Sequence, residues 1–226
     1  MISLSKSSRT AAARDTLVVL DNAAQLRNLD LERSDRQYLT EQLKADPALA
    51  VCDVSGRLVL VHLVVKGERF RQLENARRAG DLMATRLNSA KRAEAQLISL
   101  QDGTDLTLAV AEGVVLGSYA FRKYKTDPKG APTLEKLAVI AKEVTAADVD
   151  ELADVCDAVW SARDLVNEPV SFLNATQLAS EIKNLSRNAG FKVQVLNKSQ
   201  IAAQGMGGII AVNKGSLDEP TFSVLE

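Results

Sequence analysis

Arg57-Leu58-Val59-Leu60-Val61-His62-Leu63-Val64-Val65, closed by Gly67, is a run of aliphatic residues rich in β-branched side chains and reads as a buried strand. The next segment changes period. Over residues 69–88 the apolar positions Phe70, Leu73, Ala76, Ala79, Met83 and Leu87 recur at three- and four-residue spacing, with arginines between them, as an amphipathic helix requires. A strand feeding a helix of this length predicts an α/β layer, and the flanking sequence repeats the theme. Upstream, Thr16-Leu17-Val18-Val19-Leu20 is a second buried strand; downstream come a strand over 96–100, a helix, and a strand over 134–141. That helix starts at a Thr104 or Asp105 cap and runs through Leu108, Val110, Val114, Val115 and Tyr119 to about Tyr124, where Asp127-Pro128-Lys129-Gly130 ends it. Gly113 and Gly117 lie one turn apart inside it. Each costs roughly 1 kcal/mol relative to alanine in a helix interior, so they mark a face where another backbone packs closely. Residues 15–140 therefore predict a largely parallel or mixed sheet.

Further along, Thr145 caps a helix over 146–166 with Val149, Leu152, Cys156 and Val159 on one stripe. A helix over 175–189 ends at Gly190, followed by a strand over 192–196, a short helix from about Ser199, and strands over 209–212 and 222–225. Met1 to Arg14 reads as a frayed tail. The chain has 226 residues, 46% of them hydrophobic, enough for one large domain or two modest ones. With 28 basic against 29 acidic side chains and a pI near 6.0, bulk charge favours neither nucleic acid nor an anionic membrane as partner. Residues 1–140 carry a net +4 and residues 141–226 a net −5, a shift that suggests a domain boundary near 140. Cys52 and Cys156 sit among apolar neighbours and read as buried thiols of a reducing compartment. The N-terminus lacks the apolar core of a secretory signal and no run is long enough to span a bilayer, so the expected location is cytoplasmic.

Groups able to carry chemistry are few. His62, the single histidine, lies inside an apolar strand with no second histidine or cysteine cluster beside it, and is expected to be a core residue. Asp150, Asp154 and Asp157 share a helix face, but one helix cannot converge enough oxygens on a cation. Gly205-Met206-Gly207-Gly208 fails the dinucleotide fingerprint because Ile210 stands at its third glycine, and Lys214-Gly215-Ser216 has the wrong order for a phosphate loop. Arg122, Lys123 and Lys125, interleaved with Tyr119, Phe121 and Tyr124, are read as cations meeting the dipole of a helix C-terminus. No serine elbow, H-E-x-x-H or cysteine pair at ligand spacing is present.

Two stretches resemble a known family. Ala111-Glu112-Gly113-Val114-Val115-Leu116-Gly117-Ser118-Tyr119-Ala120-Phe121-Arg122-Lys123-Tyr124-Lys125 is similar to the E-G-x-x-L-G-x-Y-x-F-x-x-Y-K segment that closes the N-terminal domain of leucyl (cytosol) aminopeptidases. Ala162-Arg163-Asp164-Leu165-Val166-Asn167-Glu168-Pro169, then Leu178-Ala179, Gly190, Gly205-Met206-Gly207 and Gly215-Ser216, resemble the opening of that family's peptidase domain. The resemblance implies a macro-like N-terminal α/β domain over 1–144, a connecting helix over 145–166, and an incomplete α/β peptidase domain over 167–226. It implies, for a full-length parent, peptides as substrates, two divalent metal ions of zinc or manganese type, and a homo-hexamer. The family's metal ligands lie on the motifs V-G-K-G-x-x-F-D-x-G-G and N-T-D-A-E-G-R, and neither motif occurs here. No catalytic, cofactor-binding or metal residue can therefore be assigned to a number in this chain, which is expected to be truncated and inactive alone. The alternative class is a non-catalytic module that binds a nucleotide, ADP-ribose or DNA, or that serves oligomer architecture.

Overall fold

In the computed structural model, which describes residues 2–127 and 129–226, the run beginning at Arg57 is the fourth strand of a six-stranded mixed sheet. The elements run β1 (Ser3–Lys6), β2 (Asp15–Leu20), a 3-10 turn (Ala23–Asn28), α1 (Arg33–Ala45), β3 (Ala50–Val54), β4 (Arg57–Leu63), α2 (Arg69–Ser89), β5 (Glu94–Ser99), α3 (Asp105–Gly117), β6 (Lys136–Ile140) and α4 (Ala146–Asn167). Strand order across the sheet is β1-β6-β5-β2-β4-β3, parallel throughout except for the β3–β4 hairpin. Ser55 and Gly56 turn that hairpin with φ of 55° and 83°, the positive values a tight two-residue loop demands. Between two parallel neighbours, β2 buries Leu17, Val18, Val19 and Leu20 completely, which is why its sequence is apolar without alternation.

The two faces of the sheet have separate cores. Leu17, Val19, Leu60, Leu97, Leu137 and Val139 pack with α2, α3 and α4, through Met83, Leu87, Val110, Val114, Val149 and Cys156. Val18, Leu20, Val59 and Val61 pack on the other side with Leu26 of the 3-10 turn and with Leu39 and Leu43 of α1. The glycines of α3 face a backbone, as their cost implied. A Cβ on Gly113 would overlap the Arg77 carbonyl of α2, one on Gly117 would overlap Asp81, and one on Gly80 of α2 would overlap the Val110 carbonyl. Only hydrogen atoms fit where these helices cross. Thr145 caps α4 as expected: Asp148 N donates to its Oγ1 at 3.2 Å, while Thr145 N and Oγ1 donate to the Asp148 carboxylate at 2.7 and 2.8 Å.

Several expectations change. The N-terminal segment forms edge strand β1, pairing with β6, with Ile2 2% exposed. Ile2, Leu4 and Lys6 alternate with serines, a two-residue period too short to stand out without its partner strand. Helix α1 and strand β3 fall between the two strands read from sequence, where no element was expected, and α1 has Leu39 and Leu43 as its buried anchors. Helix α3 stops at Gly117, not near Tyr124. Ser118 Oγ donates back to Val114 O at 3.0 Å and accepts from Asn88 Nδ2 at 3.2 Å, while Asn88 Oδ1 accepts from Thr133 N and Leu134 N at 2.7 and 3.0 Å. One buried-edge amide thus ends the helix and holds the far side of the following loop. Pro128, placed in the turn that was to end it, lies outside the described residues, as does Met1.

The chain divides into two compact units, Met1–Ser161 and Ala162–Glu226. The second holds the end of α4, α5 (Ala175–Ala189), β7 (Val193–Leu196), α6 (Lys198–Ala203), α7 (Gly207–Asn213) and β8 (Phe222–Leu225). Asn174 Oδ1 caps α5 through Gln177 N at 2.9 Å, and Gly190 ends it at φ 76°. β7 and β8 pair antiparallel. Residues 209–212, expected as a strand, are in helix α7. Met206, Ile209, Ile210 and Asn213 are its half-buried positions, at helical spacing, and the four-residue apolar run alone could not reveal that period.

Candidate functional site

In an open parallel sheet, ligands sit beyond the carboxyl ends of the strands. Here that edge is built from the turns after β2, β5 and β6 and is occupied by the chain's own side chains. Arg69, at the start of α2, forms a double hydrogen bond with Asp105, the first residue of α3. Gly103 N donates to Glu143 Oε2 at 2.8 Å, and Leu106 N donates to Asp105 Oδ1 at 2.9 Å. Gln101, 9% exposed, donates from Nε2 to Gly103 O at 3.0 Å and to Thr107 Oγ1 at 3.2 Å. Gln25 bridges across by donating to Leu100 O at 2.7 Å. The α3 N-terminus, the natural seat of a phosphate, is thus already served by two carboxylates.

His62 is 3% exposed on β4. Its Nδ1–H donates to Ala48 O at 3.0 Å, Nε2 is buried without a hydrogen-bond partner, and burial holds the imidazole below its usual pKa against smaller opposing effects from Ala48, Pro47 and Asp46. A buried ring bonded to the main-chain carbonyl of Ala48, in the turn before β3, has no substrate to reach. Asp150, Asp154 and Asp157 are exposed along α4. Among the described residues no three His, Cys, Asp or Glu side chains converge as a metal site would require, so a two-metal centre does not fit the residues present. Cys52 and Cys156 are both buried as reduced cysteines, and burial, then Asp35, pushes the Cys52 thiol up.

The basic and aromatic residues after α3 occupy a loop rather than a helix end, which corrects their reading as dipole partners. Arg122 donates to the carbonyls of Asp127 and Lys129, Lys123 Nζ lies 5.6 Å from the Tyr124 ring centre, and Tyr119 meets Trp160 edge-on at 5.3 Å. These are contacts that order a long connection. In the second unit, Gly205 turns the chain at φ 70° after α6, and a Cβ on Gly207 or Gly208 would meet no other atom of the chain within 4 Å. Ala175, Ile209, Val212 and Pro220 line an apolar cleft of about 480 Å³. Val166, Val170, Val212 and Leu217 are each more than four-fifths exposed. Sequence reasoning missed a mixed polar and apolar cleft of about 270 Å³ in the first unit, among Thr10, Asn28, Asp30, Arg57, Val59 and Gln96. Its residues come from four distant segments, and no local pattern unites them.

The fold defines the class: an α/β protein whose first unit holds a six-stranded mixed sheet and whose second unit holds a two-stranded sheet with helices. Residues 160–226 match the family model described as cytosol aminopeptidase family, catalytic domain. The chain is 37% identical over 194 residues to a probable cytosol aminopeptidase of Mycobacterium marinum, covering 79% of this chain and 36% of that protein. It is 36% identical over 132 residues to one of Geotalea uraniireducens, covering 55% and 26%. Among solved structures, a mutant tomato leucine aminopeptidase superposes at TM-score 0.75 with 18% identity, covering 100% of this chain and 50% of that one. The bottromycin maturation enzyme BotP in complex with Mn follows at 0.71 with 23% identity, covering 94% and 45%. The chain belongs to the cytosol (leucyl) aminopeptidase family. It spans about a quarter to a third of the length of these curated relatives.

Proposed function

We propose that this chain is the N-terminal portion of a metal-dependent aminopeptidase that releases N-terminal residues from peptides. The domains are then 1–144, a connecting helix over 145–166, and the first elements of the peptidase domain from 167. The observation that carries the reading is the match of residues 160–226 to the family's catalytic domain, in a chain that is 37% identical over 194 residues to a probable cytosol aminopeptidase. In this reading the metal ligands lie outside the 226 residues, because no described cluster can hold an ion. The 226-residue chain alone is therefore inactive, and the whole protein is a cytoplasmic hexamer. The exposed Val166, Val170, Val212 and Leu217 support an unfinished hydrophobic unit that further chain completes. No helix among the described residues is long and apolar enough to cross a membrane.

Reading the gene beyond codon 226 and assaying both products tests this. A continued protein that releases leucine from a chromogenic amide, loses that activity to a chelator and regains it with divalent metal is the expected result. Chelator-sensitive hydrolysis by the 226-residue chain itself would overturn the assignment of ligands. The alternative nucleotide-binding reading has less support, since Asp105 and Glu143 already occupy the α3 N-terminus.

A further inference from the structure

The segment between β1 and β2 crosses the sheet face opposite α2 and α3 as a strap. Gln96, 2% exposed on β5, pins it: its Oε1 accepts from Ala11 N and its Nε2 donates to Ala11 O, both at 2.9 Å, and Nε2 also donates to Thr16 Oγ1 at 3.0 Å. Between this strap and residues 28–31 lies the cleft of about 270 Å³. Leu29, Leu31, Val59 and Ile98 supply its apolar lining, and Asn28, Asp30 and Arg57 its polar one.

Two of these polar residues, Asp30 and Arg57, carry charge that enters no ion pair among the described residues. Arg14, Arg69, Arg71, Arg77, Arg78 and Arg92 each pair with a carboxylate. Arg57, partly buried, has no carboxylate partner among the described residues; its one hydrogen bond goes to the main-chain carbonyl of Asp30 at 3.3 Å. Asp30 lines the same cleft, and its carboxylate likewise has no cationic partner among the described residues. A guanidinium and a carboxylate held beside one cleft without neutralising each other, next to an aliphatic surface, complement a ligand with the opposite arrangement: a carboxylate, an ammonium and an aliphatic side chain. We propose that this cleft binds one free aliphatic L-amino acid, its carboxylate on Arg57, its ammonium on Asp30 and its side chain against Leu29, Leu31, Val59 and Ile98.

The volume of about 270 Å³ is slightly below the usual range of about 300–1,000 Å³ for ligand pockets, which suits a ligand as small as an amino acid. Asp30, and Glu32 in the adjoining groove, oppose a phosphate, and Arg57 opposes a metal cation. The site goes beyond the peptidase reading and does not depend on it, since every residue belongs to the first unit.

Titration calorimetry of the 226-residue chain with L-leucine tests it. Saturable binding of one molecule per chain is expected. Leucinamide, which lacks the carboxylate, 4-methylpentanoate, which lacks the amine, and glycine, which lacks the side chain, should each bind about tenfold or more weaker. In R57Q, leucine and leucinamide should bind equally; in D30N, leucine and 4-methylpentanoate should. A collapsed cleft would not reproduce those paired equalities. Absence of saturable leucine binding to the unaltered chain, equal binding of all four compounds, or leucine binding unchanged by R57Q in a folded variant overturns the proposal. The compound series on the unaltered chain decides the matter even if a variant does not fold.

Discussion

At His62 the Nδ1–H is committed to Ala48 O and burial keeps the ring neutral. Its folded pKa lies below the unfolded value of about 6.5, so between those two values the unfolded chain binds more protons. The stability this residue contributes is fully present above the unfolded pKa and is lost as pH falls through the folded one. Urea midpoints for the first unit should therefore drop between pH 7.5 and 5.5, and H62Q should show a smaller drop over that interval. An unaltered midpoint in the parent chain would mean that the ring is not sealed from solvent. Gln96 is a residue of the opposite kind, polar and buried with every bond satisfied. Q96A would leave the strap's Ala11 without its partners. A loss of about 1–3 kcal/mol is expected, with faster amide exchange over residues 7–14 as the direct readout.

At the scale of elements, the crossing of α2 and α3 depends on hydrogen atoms at Gly80, Gly113 and Gly117. Alanine would favour an isolated helix by roughly 1 kcal/mol, yet at Gly113 its methyl would press on the Arg77 carbonyl. Overpacking of this kind costs about 1–3 kcal/mol, so G113A should lower stability, while G208A, in open space, should leave it within about 0.5 kcal/mol of the parent. Gly208 lies inside α7, so any change in G208A should be a gain in stability, and chemical denaturation of the two variants side by side checks that the signs are opposite. The same crossing was legible in sequence as an unexplained cost, because two interior glycines in one helix require a reason. The helix's end was not legible. Nothing local in Ser118-Tyr119-Ala120-Phe121 stops a helix, and Asn88, thirty positions before Ser118, ties that residue to the chain at Thr133 and Leu134.

Over the whole molecule, hydrophobic burial is uneven. The first unit holds both sheet cores, whereas in the second Ala179, Leu196 and Ile201 are the buried hydrophobic residues and several large aliphatic side chains are exposed. A unit of about 60 residues with so little core is marginal. Denaturation should therefore be biphasic, with fluorescence-independent amide exchange showing residues 170–226 opening at lower urea than residues 15–160. A single coincident transition would count against independent units. If the protein continues beyond this chain as proposed, the second unit should gain protection in the longer product.

Amino-acid order by itself determined the alternation of strand and helix over residues 15–140, the buried central strands, the glycine-marked helix face and the family, because these depend on local period or on contiguous motifs. It also excluded local catalytic signatures. Tertiary structure alone decided the edge strand β1, whose short alternation gains meaning only beside β6, the helical state of α7, the length of α3, and the cleft where Arg57 and Asp30 lie together. The physical reason is common to all four. Their stabilising partners lie far away in sequence or across a surface, and a periodicity read along the chain contains no term for contacts between segments that only folding brings together.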